Sequence, residues 1–332
     1  MAREVYTRGK ETKDMAEIIR ASHSATADRI SERRSGGLRR VGRGLGITTL
    51  GLAMSPSLVA HAVPTAGDTP ERPAFVYAAL GDSYAAGESG DPYDPGTDIP
   101  GVNECHRSSQ AYPHVLAKKL GATLVHVACS RATIDAAYAP AWNEPAAQVD
   151  YLNDETDLVT IGIGGNEADL ATTLKSCLFN SKCGPDTEVY QRVMQTFDSD
   201  EFRAKLDALY TLLLERAPNA RIVVVPYPLI LQERSPMSPC TVMGREDDKA
   251  VEQMITALND SIATVVREID DSRLSMAQVL VMDPCSLQGN SKINWFPSLK
   301  NLRHPENFAH PTAEGQRALA EDVERTLQPP VD

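Results

Sequence analysis

Three separated stretches hold residues whose types suit nucleophilic chemistry. Ser83 lies in Gly81-Asp82-Ser83-Tyr84, Asn166 follows Gly164-Gly165, and His310 precedes Pro311-Thr312. A serine hydroxyl becomes a useful nucleophile when a base takes its proton, and the reaction then needs donors for the oxyanion that forms. His310 is a candidate base. Asn166 is a candidate amide donor, and its neighbouring glycines permit close backbone approach. Each piece alone is weak, since a serine after a strand is usually a cap, Gly-Gly-Asn is usually a turn, and a lone histidine is more often at the surface. Their order, and their placement at one edge of one sheet, is what joins them.

That placement follows from the elements between them. Five apolar runs, Phe75–Leu80, Ala122–Val127, Leu158–Ile163, Arg221–Val225 and Val279–Met282, read as strands buried on both faces. Helical patterns occupy Ala111–Leu120, Glu201–Arg216, Asp248–Ile269 and Thr312–Leu327, with Thr312 as an N-cap and Asp200 just ahead of the second. Alternating strands and helices imply a parallel sheet with right-handed crossovers and helices on both faces. In such sheets ligands bind at the carboxyl ends of the strands. The residues just after the first three strands are Gly81 to Tyr84, Cys129-Ser130-Arg131, and Gly164 to Asn166.

The chain has 332 residues, 42% of them apolar and 23% charged, an ordinary globular composition. Residues 1–62 hold 11 Lys and Arg against 6 Asp and Glu, whereas residues 63–332 hold 22 against 39, a net of −17. A body so acidic is a poor surface for phosphate backbones, which excludes nucleic acid as a partner. The basic cluster Arg39, Arg40 and Arg43, the proline-broken apolar stretch Leu45–Ala60 and the small-x-small end Ala60-His61-Ala62 read as an export signal. The expected organisation is a leader and signal peptide at 1–62, a linker at 63–73 and one domain at 74–328. All six cysteines follow that leader, and no close C-x2-C pair suits zinc. An even count behind an export signal favours disulfides, and order along the chain suggests Cys105–Cys129, Cys177–Cys183 and Cys240–Cys285.

The motifs Gly81–Glu88 (GDSYAAGE), Ala128–Thr133 (ACSRAT), Gly162–Glu167 (GIGGNE) and Ala309–Thr312 (AHPT) resemble the four blocks of the SGNH, or GDSL-type, hydrolases. The resemblance runs from about Phe75 to Leu327, and the cysteine layout with the GDSYAAG start is most similar to the secreted actinobacterial lipase/esterase-like branch. It implies a three-layer α/β/α sandwich, flavodoxin-like, on a five-stranded parallel sheet of order 2-1-3-4-5. It also implies Ser83 as nucleophile and His310 as general base. The oxyanion hole would comprise the N–H groups of Ser83 and Arg131 together with Asn166. Three positions depart from the family pattern. Arg131 replaces a glycine, so it needs a permitted φ and its side chain could crowd the acyl site. Glu167 stands where aspartate is frequent, and Asn307 takes the place of the aspartate three residues before the histidine. The Phe308 carbonyl, or the Asn307 side chain, would then orient His310.

The expectation is an exported carboxylic ester hydrolase working through an acyl-Ser83 intermediate on lipid or short-chain acyl esters. It needs no cofactor and no metal, has no stable protein partner, and acts as a monomer. A carbohydrate acetyl esterase, or a non-catalytic secreted binding protein on the same fold, are the alternatives. The acidic loop Asp91–Asp98 reads as solvated more readily than as a calcium site. Trp295 and Phe296 fit either a substrate groove or a loop pin. His106, His126 and His304 share no metal-ligand spacing and read as structural or surface residues.

Overall fold

Tyr77 to Leu80 are shut off from solvent in β1 (Val76–Gly81), as a central strand without polar alternation requires. The computed structural model describes residues 74–180, 183–230, 245–282 and 310–328. The leader at 1–62, the linker at 63–73, Cys240, Cys285, Trp295, Phe296, His304, Asn307 and Phe308 lie outside them.

The described residues form a five-stranded, all-parallel sheet of order β2-β1-β3-β4-β5, an α/β fold. β3 (Leu158–Gly162), at the centre, and its neighbour β4 (Arg221–Val224) are buried but for Arg221, whereas the edge strand β2 (Thr123–His126) is only partly covered. β1 and β3 run in register from Tyr77 opposite Leu158 to Gly81 opposite Gly162. The chain steps from β1 outward to β2, then returns across to β3, so β1 and β3 bound the crevice where the strand order reverses.

Between and after the strands lie α1 (Ser83–Ala86), α2 (Tyr112–Leu120), α3 (Leu170–Asn180), α4 (Glu188–Phe197), α5 (Asp200–Arg216), α6 (Arg245–Ile269) and α7 (Ala313–Leu327). α7 packs on α2, and α5 and α4 pack on α6. Right-handed crossovers place α2 on one face of the sheet and α5 and α6 on the other. The side chain of Ser199, one residue ahead of Asp200, caps α5 by accepting from the Phe202 N–H.

The fifth strand is a correction. β5 is Leu274–Met276, not Val279–Met282. α6 ends at Ile269, and a tight reversal through Asp270, in the left-handed region at φ 49°, delivers the chain at once to β4. The Ile222 N–H donates to Arg273 O at 2.7 Å, and Leu274 then pairs with Ile222. The more apolar run comes too late, and Val279 is exposed. It makes a single parallel bridge, Leu229 with Val281, beyond the sheet edge.

Candidate active site

β1 ends in a turn that few sequences could make. Gly81 has φ 133°, and a Cβ there would stand 2.3 Å from Gly162 O, so both conformation and space demand glycine. Gln148 holds that residue from both sides, accepting from its N–H at 2.7 Å and donating to its carbonyl at 3.0 Å. Asp82 then caps α1, its carboxylate accepting the Tyr84 N–H at 3.0 Å. Ser83 is therefore the first residue of a one-turn helix above the sheet edge, 8% exposed.

His310 arrives from the far end of the chain. Thr312 caps α7 by accepting from the Gly315 N–H, so the histidine sits immediately ahead of that helix. Gln316, one turn on, accepts the Tyr112 N–H at 2.8 Å and donates to Tyr84 O at 3.1 Å. It thereby ties α7 to both α2 and α1. The outcome is a buried His310 whose Nε2 lies 2.7 Å from Ser83 Oγ.

The second and third blocks are tied together beside this pair. Asn166 Nδ2 donates to Ala132 O at 2.9 Å, which uses one of its two amide protons. Glu167 Oε1 accepts the Ile134 N–H at 2.5 Å. Arg131 adopts φ 69°, the left-handed conformation that a glycine would take without strain. Its side chain does not crowd the pocket but is 79% exposed, with its guanidinium 3.8 Å from Glu104. Among the described residues, the N–H groups of Ser83 and Arg131 meet no protein acceptor. The Cys105–Cys129 disulfide joins the loop after α1 to the loop after β2, and the Cys129 N–H donates to Gly81 O at 3.0 Å. Cys177–Cys183 closes the end of α3.

Ser83, Asn166 and Tyr84 line a pocket whose far wall is apolar, formed by Leu170, Ala171 and Leu174 on α3. Tyr227, from the loop after β4, completes it. Its backbone is held by Asn259 on α6, which accepts the Tyr227 N–H at 3.0 Å and donates to its carbonyl at 2.8 Å. The Tyr227 hydroxyl donates to the Asp82 carboxylate and accepts the Gly165 N–H at 2.9 Å. A Cβ at Gly165 would lie 3.0 Å from that ring, which accounts for the third glycine of the block.

Burial pushes the Asp82 carboxyl up to about 7, against the hydrogen bonds from Tyr227 and Tyr84. Burial also raises Glu167 to about 7, opposed by the Ile134 N–H and aided by the nearby Asp82 charge. Among the described residues, the other Glu167 oxygen, buried, meets no partner. His126, partly buried on β2, is held near 3 chiefly by desolvation, hence neutral, with Nε2 against Ala85 O at 3.0 Å.

Of the residues chosen from sequence, Ser83 and Asn166 line one pocket, and His310 reaches Ser83 Oγ. Tyr227 was missed, although it follows the fourth strand at the same carboxyl edge and the rule that located the other three applies to it too. α3 was missed as well, so the apolar wall had no sequence counterpart. His106 is not merely a surface residue. Its Nδ1 lies 3.0 Å from Glu88, whose carboxylate also takes the Ser130 hydroxyl.

Known proteins are similar to this chain. The GDSL-like Lipase/Acylhydrolase family matches residues 79–318. "Lipase 2" of Streptomyces coelicolor is 30% identical over 288 residues, 83% of this chain and 92% of that protein. The extracellular lipase of Streptomyces rimosus, solved as a crystal structure, is 27% identical with a TM-score of 0.61, covering 77% of this chain and all of that one. The phospholipase A1 of Streptomyces albidoflavus is 26% identical with a TM-score of 0.58 over the same shares. With the serine, the histidine and the apolar pocket in place, the chain is a carboxylic ester hydrolase belonging to the GDSL-like lipase/acylhydrolase family.

Proposed function

We propose that the chain cleaves lipid or short-chain acyl esters through an acyl-Ser83 intermediate, as an exported monomer. The observation that carries the reading is the 2.7 Å approach of His310 Nε2 to Ser83 Oγ in a pocket with an apolar wall. Ser83 Oγ attacks the ester carbonyl carbon while its proton passes to His310 Nε2. The oxyanion is met by the N–H groups of Ser83 and Arg131 and by the free amide proton of Asn166. Collapse breaks the bond to the alcohol, which leaves with the proton from His310. Water then attacks the acyl-serine, gives its proton to His310, and the acid departs as Ser83 recovers a proton. Leu170, Ala171 and Leu174 offer the acyl chain an apolar surface, in keeping with relatives named lipase and phospholipase A1. Export agrees with the two disulfides and with the extracellular S. rimosus relative.

The test is hydrolysis of p-nitrophenyl esters of graded chain length by the oxidised protein and by Ser83→Ala. Turnover by the parent and none by a folded Ser83→Ala is expected. Normal turnover in that variant sinks the assignment, and no turnover by the parent at any chain length favours a binding protein.

A further inference from the structure

The loops at the carboxyl edge of the sheet are fastened to one another. Those after β2 and β3 are joined by Asn166 on Ala132 O and by Glu167 on the Ile134 N–H. The chains leaving β1 and β3 are paired as far as Gly81 opposite Gly162, and the Asp82 N–H then donates to Gly162 O at 2.9 Å. Past that point one chain enters α1 and the other turns at Gly164, which has φ 122°. The Tyr227 hydroxyl, from the loop after β4, bridges the two. It donates to one oxygen of Asp82, whose other oxygen takes the Tyr84 N–H, and it accepts the Gly165 N–H at 2.9 Å. A phenol oxygen suits this place because it carries one proton and can also accept. The relay from the Tyr84 N–H through Asp82 and Tyr227 to the Gly165 N–H therefore brackets Ser83 at one end and adjoins Asn166 at the other.

We propose that Tyr227 is a positioning residue of the oxyanion hole, its hydroxyl setting the spacing between the Ser83 N–H and the Asn166 amide. This rests on the reading of Ser83 and Asn166 as oxyanion donors. The two donors stand on loops after different strands, and such donors act only when held about 2.7–3.1 Å from the developing charge before it forms. The Asn166 side chain is drawn toward the loop after β2 by its bond to Ala132 O, while the Gly165 bond to Tyr227 holds the adjoining backbone to the loop after β1. Tyr227 is firmly placed for this. It is 3% exposed, Asn259 grips its backbone on both sides, and its ring meets the Tyr84 ring edge-on at 4.9 Å. Burial, and then the Asp82 charge, push the phenol well above its ordinary range, so it keeps the proton that it donates.

Tyr227→Phe keeps the ring and its packing on Tyr84 and removes only the bridging oxygen. The assay is hydrolysis of a soluble p-nitrophenyl ester by the full, oxidised chain, with urea unfolding run beside it. kcat should fall roughly tenfold to a hundredfold, because small displacements of catalytic groups are that costly. KM should change by less than about threefold, since the donors act mainly in the transition state. The loss should be smaller in an Asn166→Ala background, because the hydroxyl acts partly through that amide. A folded Tyr227→Phe with the parent's kcat overturns the proposal, whatever it loses in stability. So does an effect confined to KM, which would make the hydroxyl a substrate contact. An equal factor in both backgrounds overturns it too, since Tyr227 and Asn166 would then act independently. If Tyr227→Phe does not fold, Asn259→Ala decides. It leaves the hydroxyl, releases the backbone that aims it, and should show the same selective loss of kcat; the parent's kcat there overturns the proposal. Full kcat in Asn166→Ala alone rejects the oxyanion reading itself, whereas a slow Asn166→Ala beside an unimpaired Tyr227→Phe rejects only the role of Tyr227.

Discussion

Asp82→Asn isolates a buried titration next to Ser83. The carboxyl is 1% exposed, and its pKa stands at about 7 against an ordinary 3.8. Between pH 4 and 7 the folded chain therefore keeps a proton that the unfolded chain has lost. Stability contributed by this site falls as pH rises through that window and is constant above it. Each unit is worth about 1.4 kcal/mol, so the two units from pH 5 to pH 7 amount to about 3 kcal/mol. Asparagine is similar in shape, keeps a carbonyl oxygen for the Tyr84 N–H, and cannot ionise. Urea unfolding followed by far-UV circular dichroism at pH 5, 6, 7 and 8 gives both curves. Other groups tilt the parent curve: Glu167 in the same direction, and His126, held near 3 in the fold, in the opposite one. They remain in the variant, so the difference between the two curves is what counts. It should shift in favour of Asp82→Asn by about 3 kcal/mol from pH 5 to pH 7. A constant difference across that range would mean that Asp82 is ionised throughout, with Tyr227 and Tyr84 offsetting its burial in full.

Two further outcomes follow from the pocket. Asn166→Ala should lower kcat by roughly 10²–10³ with a much smaller change in KM, because an oxyanion donor acts on charge present mainly in the transition state; a pure KM effect would make Asn166 a substrate-binding residue. Arg131→Gly should keep activity and gain roughly 1 kcal/mol in unfolding free energy, since the N–H is retained and the left-handed backbone at φ 69° loses its penalty; a large loss of kcat would mean that the exposed guanidinium takes part.

The strands that carry the site were legible because β1, β3 and β4 are buried on both faces and so are written as unbroken apolar runs. β5 was not, because its three residues Leu274–Met276 are chosen by where α6 ends, and a stronger apolar run lies just beyond. α3 begins at Leu170 straight after the third block, and its buried stripe of Leu170, Thr173, Leu174 and Cys177 mixes a threonine and a cysteine with two leucines, which weakens the apolar signal. Ser83, Asn166 and His310 could be found because each sits beside a turn or cap residue with its own signature. Glu88 and Glu167 lie inside the same motifs, but their roles depend on partners distant in sequence. Glu88 meets Ser130 42 residues away, and Glu167 meets Ile134 33 residues away. No local spacing encodes such meetings.

Ser83 and His310 are 227 residues apart, and the second arrives only with α7. As the chain is made from its N-terminus, the serine, its turn and all five strands exist before the imidazole does. A chain ended anywhere before residue 310 carries the serine without that imidazole. The docking of α7 on α2, with Gln316 reaching Tyr112 and Tyr84, depends on the same late segment. The meeting of Ser83 and His310 thereby waits until the chain has passed α7.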